Sequence, residues 1–274
     1  MKAKRRRSSP AIETEILAGP HVVLEALRAG RRGLRRICVA RQEQSGIVAV
    51  ILHLARERAV PVEVRPRADL DRFVGRASHQ GVLAEAGPFP YVEAEDIVSR
   101  ALLAPERAFV VVLDGIQDPQ NLGAILRTAE AAGAHGLILP RDRAAGITPA
   151  AARASAGATE HLPVARVTNL AAFLDWVKPR GVWVVGADPS GDRLLYDVDL
   201  RDPLALVIGA EGQGLRPLVK SRCDVLVRIP ISGRVTSLNA SCAAAVCVFE
   251  VIRQRQRATE SGWPRNLQKL AKSE

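Results

Sequence analysis

Five short apolar runs recur between residues 108 and 254, each too uniformly apolar to be a strand with one wet face. Phe109–Leu113, Gly136–Leu139, Val182–Gly186, Ala205–Ile208 and Val225–Ile229 are rich in Val, Ile and Leu with little polar alternation. That is the pattern of parallel strands covered on both faces. Segments with helical spacing lie between them, at Leu122–Ala132, Pro149–Gly157 and Leu170–Val177, and a long helix is expected from about Leu238 to Gln254. The alternation predicts an α/β domain built on a mostly parallel sheet. In such sheets ligands collect beyond the carboxyl ends of the strands, so the loops that follow these runs are where chemistry is sought.

A smaller α/β unit precedes this domain. Helical spacing covers His21–Leu27 and Ile47–Ala59, and strand character covers Arg36–Ala40, Val62–Val64 and Val82–Ala86. Gly87-Pro88-Phe89-Pro90 breaks the chain. The expected organisation is a basic tail at 1–15, a first domain at 16–90, and a linker at 91–106 with one or two helical turns. The main domain follows at 107–256 and a second basic tail at 257–274.

Three loops of the main domain stand out. The first, Asp118-Pro119-Gln120-Asn121-Leu122-Gly123, leads from a buried strand into a helix that carries Arg127. Asn121 could be a helix N-cap, and Arg127 either pairs with another helix or offers a rigid fork to a phosphate or carboxylate. The second, Gly209-Ala210-Glu211-Gly212-Gln213-Gly214, is neither a Walker A loop nor a dinucleotide fingerprint. Its glycines would let a ligand approach backbone amides, and Glu211 suits a cationic or hydroxyl-bearing ligand. The third runs from Ile229-Pro230 to Ser237-Leu238-Asn239 at the mouth of the last helix, with Ser237 a natural N-cap.

In this order the segments D-P-Q-N-L-G-A-I-L-R-T, I-G-A-E-G-Q-G and I-P-I-S-G-R-V-T-S-L-N resemble the signatures of the SpoU, or TrmH, family of RNA ribose 2′-O-methyltransferases in the SPOUT class. Residues 16–90, ending in His79-Gln80-Gly81-Val82, resemble the family's RNA substrate-binding domain of ribosomal-protein L30e-like fold. The resemblance implies a deep C-terminal trefoil knot, which topology rules alone would not suggest. It implies S-adenosylmethionine as cofactor, held at Gly209, Ile229 and Leu238. It implies Asn121, Arg127, Glu211, Ser237 and Asn239 as the polar catalytic set, and a homodimer with the pocket at the subunit interface. The two-domain layout is closest to members that methylate a guanosine in the peptidyl-transferase loop of 23S ribosomal RNA.

Charge bears on the partner. The formal net charge is +10, but residues 91–252 carry 16 basic and 18 acidic side chains. Positive charge sits in the tails and in Arg28, Arg31, Arg32, Arg35, Arg36 and Arg41, with no acid among them before Glu43. RNA capture is therefore expected from the tails and the first domain, with a salt-dependent affinity. Cys38, Cys223, Cys242 and Cys247 lack metal-ligand spacing. They read as buried free thiols of a cytoplasmic protein without a metal. No apolar run has the length of a membrane span. Two alternatives stay open: a family member acting on tRNA or conferring resistance through rRNA, and a non-catalytic RNA-binding assembly factor.

Overall fold

The computed structural model describes residues 14–41, 46–74, 78–234 and 236–258, without the side chains of 257 and 258. The two basic tails, apart from a few residues at their inner ends, lie outside that range. The chain divides into two compact units, Met1–Pro90 and Tyr91–Glu274.

The first unit runs β1 (Glu15–Ala18), α1 (Pro20–Ala29), β2 (Leu34–Ala40), α2 (Gly46–Glu57), β3 (Val62–Arg65), α3 (Arg67–Val74) and β4 (Val82–Ala86). Its sheet has the order β1-β4-β2-β3, with β1 and β2 antiparallel to β4 and β3 parallel to β2. The core is closed by Val22, Val23 and Leu27 of α1 and by Val48, Ile51 and Ala55 of α2. Two elements, β1 and α3, are invisible to periodicity. Four residues give too few alternations to register, and α3 buries only Leu70.

Two arginines of this unit's run, Arg32 and Arg36, are met by acids distant in sequence. Arg32, 6% exposed, reaches Glu15 at 2.8 Å and lies over the Phe89 ring at 5.1 Å. Arg36 pairs with both Glu63 and Glu85, and Arg28 with Glu25. The expectation that the run attracts phosphate is corrected for Arg28, Arg32 and Arg36, whose charge is met within the unit. Between Arg28 and Arg41 the sequence holds no acid, but the sheet brings three from other strands.

The second unit opens with α4 (Ala94–Leu103), a helix of ten residues where a linker with a turn or two was expected. Its Ala94, Ile97 and Val98 join the main core. There follow β5 (Phe109–Asp114), α5 (Pro119–Ala131), β6 (Gly136–Pro140), α6 (Pro149–Ala154), β7 (Val164–Val167), α7 (Leu170–Val177), β8 (Trp183–Ala187) and the two-residue β9 (Arg193–Leu194). The unit ends with β10 (Leu204–Gly209), α8 (Pro217–Lys220), β11 (Val225–Arg228) and α9 (Ala240–Ala258).

The sheet order is β7-β6-β5-β10-β8-β11-β9, and every pairing is parallel. All five expected strands are present. β7 and β9 had been missed, being too short for a periodic signal. From β5 the chain moves outward to β6 and β7, then crosses to β8 on the other side. β10 later enters between β5 and β8, with all of its residues buried. The switch point of the sheet therefore falls at β5 and β10, and the loops after β5, β10 and β11 emerge on one edge.

Gly123 of the first loop serves packing. A Cβ there would lie 2.4 Å from Ala154 Cβ and 2.7 Å from the Ala151 carbonyl oxygen, because α6 crosses α5 at that point. Replacing Gly123 by Ala would gain about 1 kcal/mol of helix propensity, but overpacking costs roughly 1–3 kcal/mol. Gly123→Ala is expected to lower the thermal midpoint, and an unchanged or raised midpoint in a melting experiment would show that α6 yields freely.

Candidate functional site

Each of the three loops is anchored at particular residues before any ligand is considered. After β5, Asp118 caps α5 by accepting from the amides of Gln120 (3.0 Å) and Asn121 (3.4 Å), with Pro119 at the first helical position. Asp118 is thus the N-cap, and the reading of Asn121 as a cap is corrected. Asn121 lies inside the first turn with its carboxamide free for other work. Starting at Pro119, the helix begins three residues before the apolar pattern does.

After β10 the chain makes a tight turn. Ala210 and Gly214 exchange two backbone hydrogen bonds, at 3.1 and 2.9 Å, and Gly212 and Gly214 have φ of +72° and +65°. A Cβ on Gly209 would sit 2.3 Å from the Gly214 backbone. The glycines at 209 and 214 are therefore demanded by the loop folding on itself, and close approach of a ligand is not needed to explain them. Arg216 then returns to β5. Its side chain and its amide bind the carboxylate of Asp114, at 2.5 and 2.8 Å, and Asp114 is 1% exposed.

A second carboxylate, Asp188 after β8, holds the same loop from the other side. It accepts from the Leu215 amide (3.0 Å), the Ser190 hydroxyl (2.6 Å) and amide (2.9 Å), and Lys220 Nζ (3.0 Å). Burial pushes its pKa up, but the hydrogen bonds from Ser190, Leu215 and Lys220 outweigh burial and hold it down at about 2. Asp114 and Asp188 were not singled out from sequence. Asp188-Pro189-Ser190-Gly191 directly after a buried strand was the available signal, since Asp-Pro begins the first loop in the same way.

The third loop delivers Asn239. Its Oδ1 accepts from the Ser241 amide (2.9 Å) and the Cys242 amide (3.4 Å), so Asn239 caps α9 and the expectation of a Ser237 cap is corrected. The helix begins at Ala240 rather than at Leu238. Capping fixes which end of the carboxamide is which, so Nδ2 must face outward from the helix. It donates to Asn121 Oδ1 at 3.0 Å and to Glu211 Oε2 at 3.3 Å. One amide group thus joins all three loops, across 118 residues of sequence in one case.

Beside this junction lies a cleft of about 420 Å3 at the carboxyl ends of β8, β10 and β11. Gly209, Glu211, Ile229, Ser237 and Leu238 line it, together with Leu194, Ile208, Val227 and Ala243. Leu238 and Ile231, both in the lining, stay 38% and 42% exposed. Arg127 is absent from the lining. It is exposed on α5 and makes no ion pair or hydrogen bond among the described residues, so the interhelical pair considered for it is not formed.

Among the described residues no His, Cys, Asp and Glu cluster could hold a metal, and no helix is long and apolar enough to cross a membrane. The four cysteines are free, but Cys242 is exposed on α9 and Cys223 half-buried, so only Cys38 and Cys247 are buried thiols as expected.

With this geometry established, comparison with known proteins is specific. The SpoU rRNA Methylase family matches residues 108–249, and the RNA 2′-O ribose methyltransferase substrate binding family matches residues 16–92. A putative TrmH family tRNA/rRNA methyltransferase of Bacillus subtilis is 43% identical over 246 residues, covering 90% of this chain and 98% of its own. A 23S rRNA (guanosine-2′-O-)-methyltransferase, RlmB of Pseudomonas putida, is 40% identical over 89% of this chain and 98% of its own. The SpoU methyltransferase AviRb of Streptomyces viridochromogenes, solved with its cofactor AdoMet, superposes with a TM-score of 0.73 at 29% identity, covering 88% of this chain and 90% of that one. The chain belongs to the SpoU rRNA methylase family, and its two-unit α/β architecture is that of the family's RNA 2′-O-methyltransferases, with the SPOUT fold in the second unit.

Two measurements test the scaffold. Asp188 is held ionised in the fold below its ordinary range, so its contribution to stability is complete above the unfolded pKa near 4 and is lost as pH falls toward 2. Asp188→Asn should therefore cost about 2 kcal/mol at neutral pH and flatten the acid limb of stability between pH 4 and 2, followed by denaturant unfolding at each pH. Asn239→Asp keeps the capping oxygen but sets a carboxylate against Glu211. It should leave the helix content unchanged while lowering methyl transfer by tenfold or more, and unaltered turnover would show that the junction is dispensable.

Proposed function

We propose that this enzyme transfers a methyl group from S-adenosylmethionine to the ribose 2′-hydroxyl of a guanosine in the peptidyl-transferase loop of 23S ribosomal RNA, acting as a cytoplasmic homodimer. The observation that carries the chemistry is the junction of Asn121, Glu211 and Asn239 at the lip of an apolar cleft. The guanosine target is supported by the 23S relative, which aligns along nearly its whole length.

The cleft suits the cofactor. Its volume falls in the range of small-molecule sites, its floor at Gly209 is bare backbone packed on Gly214, and its walls offer Leu194, Ile208, Val227 and Leu238 to an aromatic base. Gly209, Ile229 and Leu238 would hold it. Bound S-adenosylmethionine supplies an electrophilic methyl group on a good leaving group. What remains for the protein is to position the hydroxyl and to manage its proton.

Arg127 takes the second task. A guanidinium keeps its protons, so it acts by binding the phosphate next to the ribose and by stabilising negative charge as it develops on the oxygen. The proton leaves to that phosphate or to water. Asn121, with Oδ1 engaged by Asn239, turns its remaining N–H donors to the ribose. Ser237 holds the sugar from the cleft wall, and Glu211 keeps the third loop in place through Asn239.

A homodimer accounts for the separation of Arg127 from the cleft of its own chain. α9 packs on α5 and exposes Cys242 and Phe249, the latter 49% exposed, on one face. A second copy seated there completes the pocket at the interface. Phe249→Asp should give a monomer by light scattering and abolish turnover, and a fully active monomer would overturn this assembly.

Transfer of tritiated methyl to unmodified ribosomal RNA, with the labelled nucleotide mapped, tests the reading as a whole. Arg127→Ala should lower turnover about 100-fold or more while cofactor affinity stays within about twofold, and lost cofactor binding in a folded variant would contradict its role. Label appearing only in transfer RNA would overturn the target and keep the chemistry.

A further inference from the structure

Residues 91–252 are slightly acidic as a whole, yet the ion pairs of the second unit are unevenly placed. At the amino edge of the sheet, where the strands begin, basic side chains are matched by acids. Arg107 meets Asp202 at 2.7 Å, Arg201 meets Asp199 at 2.6 Å, Arg222 meets Asp175 at 3.0 Å, and Lys178 meets Asp224 at 2.8 Å. The opposite edge holds matched pairs beyond β5 and β8, Arg216 with Asp114 and Lys220 with Asp188, but beyond β6 and β7 Arg141, Arg143 and Arg166 are exposed and form no ion pair among the described residues. Asp142 lies between two of them and pairs with neither.

The segments that carry these three arginines are tied to one another. Arg141 donates through its backbone amide to the Val167 carbonyl (2.9 Å) and through Nε to the Arg166 carbonyl (3.4 Å), so it lies across the end of β7. The Arg166 guanidinium sits over the Tyr91 ring at 4.3 Å. Tyr91 in turn accepts from the Ile147 amide at 2.8 Å, which ties it to the loop carrying Arg143. Arg143 has φ of +57°, a left-handed conformation uncommon for a side chain of its size. The same loop is joined to the catalytic edge, because the Ala145 amide donates to the Ile116 carbonyl at 2.8 Å, two residues before Asp118. Three exposed arginines against the single carboxylate of Asp142 leave a net positive edge that invites an anion, and guanidinium groups favour phosphate.

We infer that Arg141, Arg143 and Arg166 form a phosphate track that carries the RNA backbone away from the methylated ribose along the β6–β7 edge. This rests on the RNA-methyltransferase reading and changes where that RNA is gripped. The net charge of residues 91–252 points capture to the tails and the first unit, but a segment's sum hides the sorting of paired from unpaired arginines.

The test uses the full chain and unmodified 23S ribosomal RNA made by transcription, with binding titrated between 50 and 200 mM salt and methyl transfer measured in parallel. Each phosphate contact contributes about 0.7–0.9 to the slope of log affinity against log salt. In Arg141→Ala/Arg143→Ala/Arg166→Ala the slope should fall by roughly 2, and the KM for RNA should rise tenfold or more with kcat and cofactor affinity retained. Arg143→Glu alone, which leaves the Tyr91 stack intact, should raise KM in the same direction and guards against a misfolded triple variant. Arg107→Ala/Arg201→Ala, at the amino edge, should leave both readouts unchanged. Wild-type KM and slope in the triple and Arg143→Glu variants would overturn the track, as would an equal loss from the amino-edge variant. A wild-type chain that shows the slope, loses it in the triple variant and transfers no methyl would sink the functional reading and support the track.

Discussion

The candidate site of the second unit is placed by the burial of β10. Leu204–Gly209 pairs in parallel with β5 on one side and β8 on the other, and no residue of it reaches solvent. A strand enclosed in this way can carry no chemistry on its faces, only at its ends. Because its neighbours run the same way, the loops after β5, β8, β10 and β11 are all forced to one edge. The site is therefore a consequence of strand direction before it is a matter of particular side chains.

What side chains add is rigidity. Three groups each tie one loop to another: Asp114 joins β5 to Arg216, Asp188 joins the β8 loop to Leu215, and Asn239 joins α9 to both Asn121 and Glu211. The two carboxylates are almost fully buried, and each is met by several donors, the condition under which a buried charge is tolerated. A loop held from two sides need not be ordered when a substrate arrives. Positioning accounts for much of the barrier lowering open to a reaction whose leaving group is already good, so this stiffness is functional.

The sequence made the sheet legible and the site partly so. Uniform apolar runs gave the five inner strands, because burial on both faces leaves a plain signal. β7 and β9 escaped, being short and at the edges. The helical content of residues 94–103 was undervalued because it follows a Gly-Pro break that suggested a linker. Asn121, Glu211 and Asn239 were picked out through three ordered motifs, but their caps were misassigned. Asp118 caps α5 and Asn239 caps α9, each in place of a residue that composition alone made equally plausible. Asp114 and Asp188 were passed over because a carboxylate after a strand says nothing until its donors, 102 and 27 residues away, are known.

Charge shows most clearly what a linear reading loses. Counted along the chain, Arg28 to Arg41 is a basic run without an acid, and residues 91–252 are mildly acidic. Folding inverts the emphasis. Glu15, Glu63 and Glu85 come from other strands to meet Arg32 and Arg36, while in the second unit basic side chains are matched where the strands begin and beyond β5 and β8, and left unmatched beyond β6 and β7. Screening restricts exposed charges to acting within about a Debye length, near 10 Å. A polyanion arriving at the protein thus responds to local pairing and not to a segment's sum. A nearly neutral domain can then hold RNA firmly, provided some of its arginines, such as Arg141, Arg143 and Arg166, are left without an acid partner on the face that the RNA meets.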